Sequence, residues 1–199
     1  MQKIILASGS PRRSQLLQWA EIPFDVMIAA TDESYPNNLL PNEIAMRIAF
    51  DKALAVHNIL KETKPNREAQ TILAADTIVV LENKILGKPS SREDALKILS
   101  TLSGKIHKVI TGVCILSATE KIVFAEETEV EFHELLITQI EYYVDKYKPY
   151  DKAGAYAIQE WIGVIGVKSI KGDFYNVMGL PVSRVVKELE KVSKLAVGS

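Results

Sequence analysis

A single cysteine, Cys114, stands in 199 residues, so no disulfide can form within the chain. It lies in an apolar run with no histidine constellation near it, and reads as core packing. Histidine is equally scarce. His57, His107 and His133 show no metal-ligand spacing to one another and read as structural. No apolar run approaches the roughly 20 residues that cross a bilayer, and the opening residues lack the apolar stretch of a signal peptide. The expectation is a soluble, cytoplasmic protein without a membrane partner. Excess charge is missing too: 24 Lys and Arg against 25 Asp and Glu leave −1. That balance argues against a nucleic-acid partner, which calls for a basic face interleaved with aromatics. A small anionic ligand remains open, because a few cations can cluster inside a neutral protein.

What is present is an ordinary globular composition, 47% hydrophobic and 25% charged, long enough to bury a core as one large domain or two lobes. Apolar periodicity predicts strands over residues 4–7, 24–29, 71–81, 85–86, 106–116, 122–132 and 164–170. Helices are predicted over 11–20, 42–60, 91–102 and 138–148, with a last one opened by Pro181. Ser90 with Glu93 and Thr138 with Glu141 have capping-box spacing, and residues 31–40 and 61–70 read as polar loops. Helices and strands interleave throughout, so the fold class is α/β with a mixed β-sheet flanked by helices.

The first strand breaks into Ser8-Gly9-Ser10-Pro11-Arg12-Arg13. Ser10 suits an N-cap and Pro11 the first helical position. A helix N-terminus with two hydroxyls and two guanidinium groups has the makings of a phosphate site. An ordinary strand-to-helix turn with solvated arginines is the competing reading.

Three charges interrupt apolar patterns. Asp76 sits inside Ile72-Leu73-Ala74-Ala75-Asp76-Thr77-Ile78-Val79-Val80, where a carboxylate must be paired, hydrogen-bonded or metal-bound. It is the leading catalytic candidate, against a core Asp satisfied by a neighbouring loop. Lys52 falls on the apolar stripe of its helix, among Ile44, Ala45, Ile48, Ala49 and Val56, at about 3.6 residues per turn. There it either snorkels to water or meets an anion. Lys88, in Gly87-Lys88-Pro89-Ser90-Ser91, precedes another helix but lacks Walker A spacing, and alone is a common turn. Glu33 enters through chemistry: Mg²⁺ takes one or two carboxylates plus substrate oxygens, and Glu33 with Asp76 could supply them. A solvated loop acid is the plainer reading of Glu33 and of its neighbour Asp32.

Taken together, Ser8–Arg13, Ala75-Asp76-Thr77, Gly87-Lys88-Pro89, Thr111-Gly112-Val113, the run from Asp151 to Gln159 and the run from Gly172 to Pro181 resemble the Maf family. The blocks stand in the family's order and cover most of the chain, as one domain over residues 1–199. The resemblance implies a nucleoside triphosphate pyrophosphatase that releases monophosphate and pyrophosphate with a divalent metal cation (Mg²⁺ or Mn²⁺). It implies an α/β fold like that of the inosine-triphosphate pyrophosphatases, with a cleft between two lobes, and a homodimer. Asp76 then matches the catalytic acid, Ser8, Arg12, Arg13, Lys52 and Lys88 the phosphate-binding groups, and Glu33 with Asp76 the metal carboxylates. Arg12 or Arg13, Thr77 and Gln159 match positions linked to base choice, and the pattern is that of the dTTP and UTP branch. The alternative is a regulatory protein of cell division that binds nucleotide without turnover.

Overall fold

A computed structural model of the chain describes residues 2–32, 34–36, 39–63 and 70–197, the last five by their backbone only. In chain order the elements are β1 (Ile4–Leu6), α1 (Pro11–Trp19), β2 (Phe24–Val26), α2 (Pro41–Thr63), β3 (Ile72–Leu81), β4 (Lys84–Leu86) and α3 (Arg92–Leu102). There follow β5 (Ile106–Leu116), β6 (Lys121–Phe132), α4 (Ile137–Tyr147), α5 (Trp161–Gly166), β7 (Val167–Lys171), α6 (Phe174–Met178) and α7 (Val182–Val197). The seven strands form one sheet in the order β2-β1-β3-β5-β6-β7, with β4 added to β3. β1 runs parallel to β2 and β3, whereas β4 is antiparallel to β3 and β7 to β6, so the sheet is mixed as expected.

The chain divides into two compact units. The first comprises Met1–Asp76, Thr111–Glu126 and Gly179–Ser199, the second Thr77–Ile110 and Glu127–Met178. In the first, the apolar stripe of α2 (Ala49, Ala53, Val56, Leu60) packs on Ile5, Ala7, Ile72, Ala74 and Cys114. Each large aliphatic side chain so buried contributes about 1.5–3 kcal/mol. The small residues of α2 bring its backbone close to the sheet. A Cβ on Gly112 would stand 2.1 Å from the carbonyl carbon of Ala45, so only glycine fits that point of β5. In the second unit, the rings of His107, Phe132 and Tyr156 meet edge to face with centroids 5.0–5.4 Å apart. A bidentate pair of Arg92 with Asp145, at 2.5 and 2.9 Å, ties α3 to α4.

Several predicted boundaries move for identifiable reasons. β2 ends at Val26 rather than 29, and α2 runs to Thr63, into the segment read as loop; residues 64–69 of that loop lie outside the described residues. Ser91 rather than Ser90 caps α3, accepting the Asp94 N–H, while Asp94 Oδ2 accepts from the backbone and hydroxyl of Ser90. Capping of α4 uses Gln139, whose side chain accepts the Leu136 N–H, not Thr138 and Glu141. The largest change is over residues 164–166, predicted as the start of a strand and folded as the end of α5. The run Trp161-Ile162-Gly163-Val164-Ile165-Gly166 is apolar throughout and carries no period to separate helix from strand.

Candidate active site

The β1–α1 loop is shaped by Arg13, which is 9% exposed. Its Nη1 donates to Ser8 Oγ at 3.0 Å and its Nε to the Gly179 carbonyl at 2.9 Å. Ser8 Oγ also accepts the Ser10 N–H at 3.2 Å, so one buried hydroxyl anchors both sides of the turn. Ser10 occupies the N-cap position, yet its side chain makes no capping bond and the first turn of α1 holds no acidic residue. Neither the Ser10 side chain nor an acidic residue of its own first turn caps the first amides of α1, and half-buried Arg12 lies in that turn. That end of the helix is electropositive and suits an anion.

Lys52 and Asp76, the two charges that break apolar patterns, meet. Lys52 Nζ donates to Asp76 Oδ1 at 2.7 Å, with side chains 17% and 14% exposed. Along β3 every residue is buried except Asp76 and Thr77. The carboxylate is thus reached by a core-facing cation from α2 through one oxygen only. Asp76 Oδ2 makes no protein hydrogen bond among the described residues. Ser8, Arg12, Arg13, Lys52 and Asp76 all belong to the first unit.

Thr77, Lys88 and Gln159 belong to the second unit. Thr77 follows Asp76 on β3, Lys88 is exposed between β4 and α3, and Gln159 is exposed in a turn before α5. Glu33 lies outside the described residues. Asp32 spends both carboxylate oxygens on Ser34, accepting its N–H at 2.9 Å and its hydroxyl at 2.8 Å, bonds that hold its pKa below the usual carboxylate value. Among the described residues no three His, Cys, Asp or Glu side chains cluster as a ready-made metal cage. The open oxygen of Asp76 fits a hard cation held chiefly by substrate phosphates, the manner in which Mg²⁺ usually binds.

Cys114 and His107 take no part in this region. Burial pushes the Cys114 thiol up to about 12, leaving it unreactive. Burial likewise lowers the His107 imidazole to about 4, with Nε2 at 2.8 Å from the Tyr156 hydroxyl. One cluster escapes sequence reasoning. Lys152, 7% exposed, pairs with Asp151 and Glu160, and Tyr143 donates to Glu160. Its one sequence signal is the position of Lys152 in the block ending at Gln159.

The chain matches the family model described as Maf-like protein over residues 3–192. It belongs to the Maf family. This Maf-like chain is 47% identical over 191 residues to the dTTP/UTP pyrophosphatase of Bacteroides thetaiotaomicron, covering 96% of each chain. It is 49% identical to that of Parabacteroides distasonis, over 94% of this chain and 95% of the relative. It is 46% identical to that of Bacillus cereus, over 96% of each. Among solved structures, that of the Staphylococcus aureus Ham1 protein aligns at a TM-score of 0.44 and 15% identity, over 66% of this chain and 72% of that one. No helix among the described residues is long and apolar enough to cross a membrane.

Proposed function

We propose that the chain is a nucleoside triphosphate pyrophosphatase that hydrolyses dTTP and UTP to the nucleoside monophosphate and pyrophosphate. The observation that carries this reading is the Lys52–Asp76 pair: a partly exposed carboxylate in an otherwise buried strand, oriented by a core-facing lysine and open at its second oxygen. Relatives named dTTP/UTP pyrophosphatase, at 46–49% identity over almost the whole chain, support the choice of nucleotide.

The chemistry follows from charge. Hydrolysis adds water at the α-phosphorus and breaks its bond to the oxygen bridging to the β-phosphorus. Negative charge grows on the departing pyrophosphate. Arg12 and the first amides of α1 receive phosphate oxygens, while Arg13 holds Ser8 and the loop in register for them. Lys52 fixes the Asp76 carboxylate through Oδ1, leaving Oδ2, with its two lone pairs, to accept the proton of the attacking water on one and to face a divalent cation on the other. Asp76 and Glu33 would hold a divalent cation, Mg²⁺ or Mn²⁺, which would supply charge neutralisation. Lys88 takes the phosphate-binding role, and Thr77 and Gln159 the base-reading roles, that the family resemblance gives them. A Gln amide presents both a donor and an acceptor to a pyrimidine edge.

The test is product analysis with dTTP, UTP, CTP, 7-methyl-GTP and ATP, with and without Mg²⁺ or Mn²⁺. Metal-dependent release of monophosphate and pyrophosphate from dTTP and UTP is expected. Asp76→Asn should lower kcat by about 10²-fold or more with an unchanged circular dichroism spectrum. Saturable nucleotide binding without turnover would overturn the reading in favour of a regulatory protein. Near-wild-type activity in folded Asp76→Asn would remove Asp76 from the mechanism.

A further inference from the structure

We propose that Tyr143, Lys152 and Glu160 form a positioning network that fixes Gln159 for base recognition, an inference that rests on the base-reading role proposed above for Gln159. Gln159 is exposed in a tight turn over residues 157–160, closed by the Glu160 N–H donating to the Ala157 carbonyl at 3.1 Å. Tyr143, fully buried on α4, holds both ends of that turn with one hydroxyl. The hydroxyl accepts the Ala157 N–H at 3.2 Å and donates to Glu160 Oε2. Lys152 lies within 3.5 Å of the other Glu160 oxygen and binds Asp151 at 2.8 Å. Ile158, 5% exposed, anchors the turn from within. Behind it, a Cβ on Gly163 would stand 1.8 Å from the Ile158 carbonyl oxygen, so α5 abuts the turn backbone and only glycine permits it.

A surface turn that merely connects two elements is ordinarily satisfied by water and its own backbone. Here a nearly buried ammonium and a buried phenol are spent on four residues whose exposed side chain is Gln159. Burying such groups is costly unless they are paired, and their pairing leaves the turn a single arrangement. That is the second layer of support that a recognition side chain needs to be held in a productive geometry. Tyr143 and Lys152 are too buried to touch a nucleotide, so their influence passes through Gln159.

The experiment compares KM and kcat for dTTP with the inhibition constant of inorganic triphosphate, which has no base, in Tyr143→Phe, Glu160→Gln, Gln159→Ala and Tyr143→Phe/Gln159→Ala. Tyr143→Phe is expected to raise the dTTP KM roughly tenfold, to hold kcat within about twofold and to leave triphosphate inhibition unchanged. Glu160→Gln, which keeps an acceptor for Tyr143 but loses the charge beside Lys152, shifts KM in the same direction. In the Gln159→Ala background, Tyr143→Phe adds no further loss. Equal weakening of dTTP and triphosphate, or an undiminished effect in that background, would overturn the network while leaving Gln159 as the base contact. An unchanged dTTP KM in Gln159→Ala would overturn the base-reading role and this proposal with it. Should Tyr143→Phe fail to fold, Glu160→Gln alone and with Gln159→Ala gives the same cycle.

Discussion

Acid should destabilise this protein through His107, and the size of the effect can be worked from its surroundings. The ring is 1% exposed, packed edge-on against Phe132 and Tyr156, with Nε2 on the Tyr156 hydroxyl. Burial lowers its pKa from 6.5 to about 4. In the folded state the imidazole stays neutral below the pH at which the unfolded chain has already taken up a proton. Stability from this group is therefore complete above pH 6.5 and is lost as pH falls toward 4. Linkage over that span amounts to about 2 kcal/mol at pH 5 and about 3 kcal/mol at pH 4. Urea titrations at pH 7 and pH 5 read it directly: with a slope of roughly 2 kcal/mol/M, the midpoint drops by about 1 M. His107→Phe keeps the ring contacts and removes the titration. It leaves the Tyr156 hydroxyl without its partner, which costs about 1–2 kcal/mol at either pH. The difference in midpoint between the two pH values should shrink by about 1 M in the variant, since other titrating groups are common to both proteins. An equal shift in wild type and His107→Phe, or a His107 proton resonance titrating near the unperturbed value, would refute the reasoning.

Two further outcomes follow from single contacts. Arg13→Lys preserves the charge but not the fork that reaches Ser8 and Gly179 at once. It should lower stability by about 1–3 kcal/mol and weaken nucleotide hydrolysis, read by urea midpoint and steady-state assay; an unchanged midpoint would show that one bond suffices. Gly112→Ala places a methyl against the Ala45 backbone, which cannot move as a side-chain tip can. A loss of roughly 3 kcal/mol or more is expected, and a soluble variant with wild-type melting would overturn the close-packing argument.

The residues that broke a pattern were the legible ones. Asp76 and Lys52 stood out because a carboxylate in an apolar strand and an ammonium in an apolar helical stripe each need a partner. That they are each other's partner was not legible, because residues 24 positions apart are paired by the packing of α2 on β3 and by no local rule. Arg13 shows the opposite error of scale. In sequence it is a cation beside Arg12, and in the fold it is a buried tie whose second acceptor lies 166 positions away. Capping of α3 was legible to within a residue, whereas the cap of α4 lies two residues before Thr138, at Leu136. Adjacent Ser90 and Ser91 offer nearly equivalent hydroxyls, and the choice falls on Ser91 because Asp94 engages Ser90 while its own N–H meets Ser91.

By itself the sequence determined the α/β class, the order of nearly all elements and the identity of the charged outliers, because periodicity and burial cost act over a few neighbouring residues. Tertiary structure alone decided that residues 164–166 wind into a helix, that Gly112 and Gly163 admit no side chain, and that a buried tyrosine holds both ends of the Gln159 turn. Each of those depends on the approach of segments distant in the chain. Such distances are set when the core of each unit close-packs within itself, and no local period in the sequence encodes them.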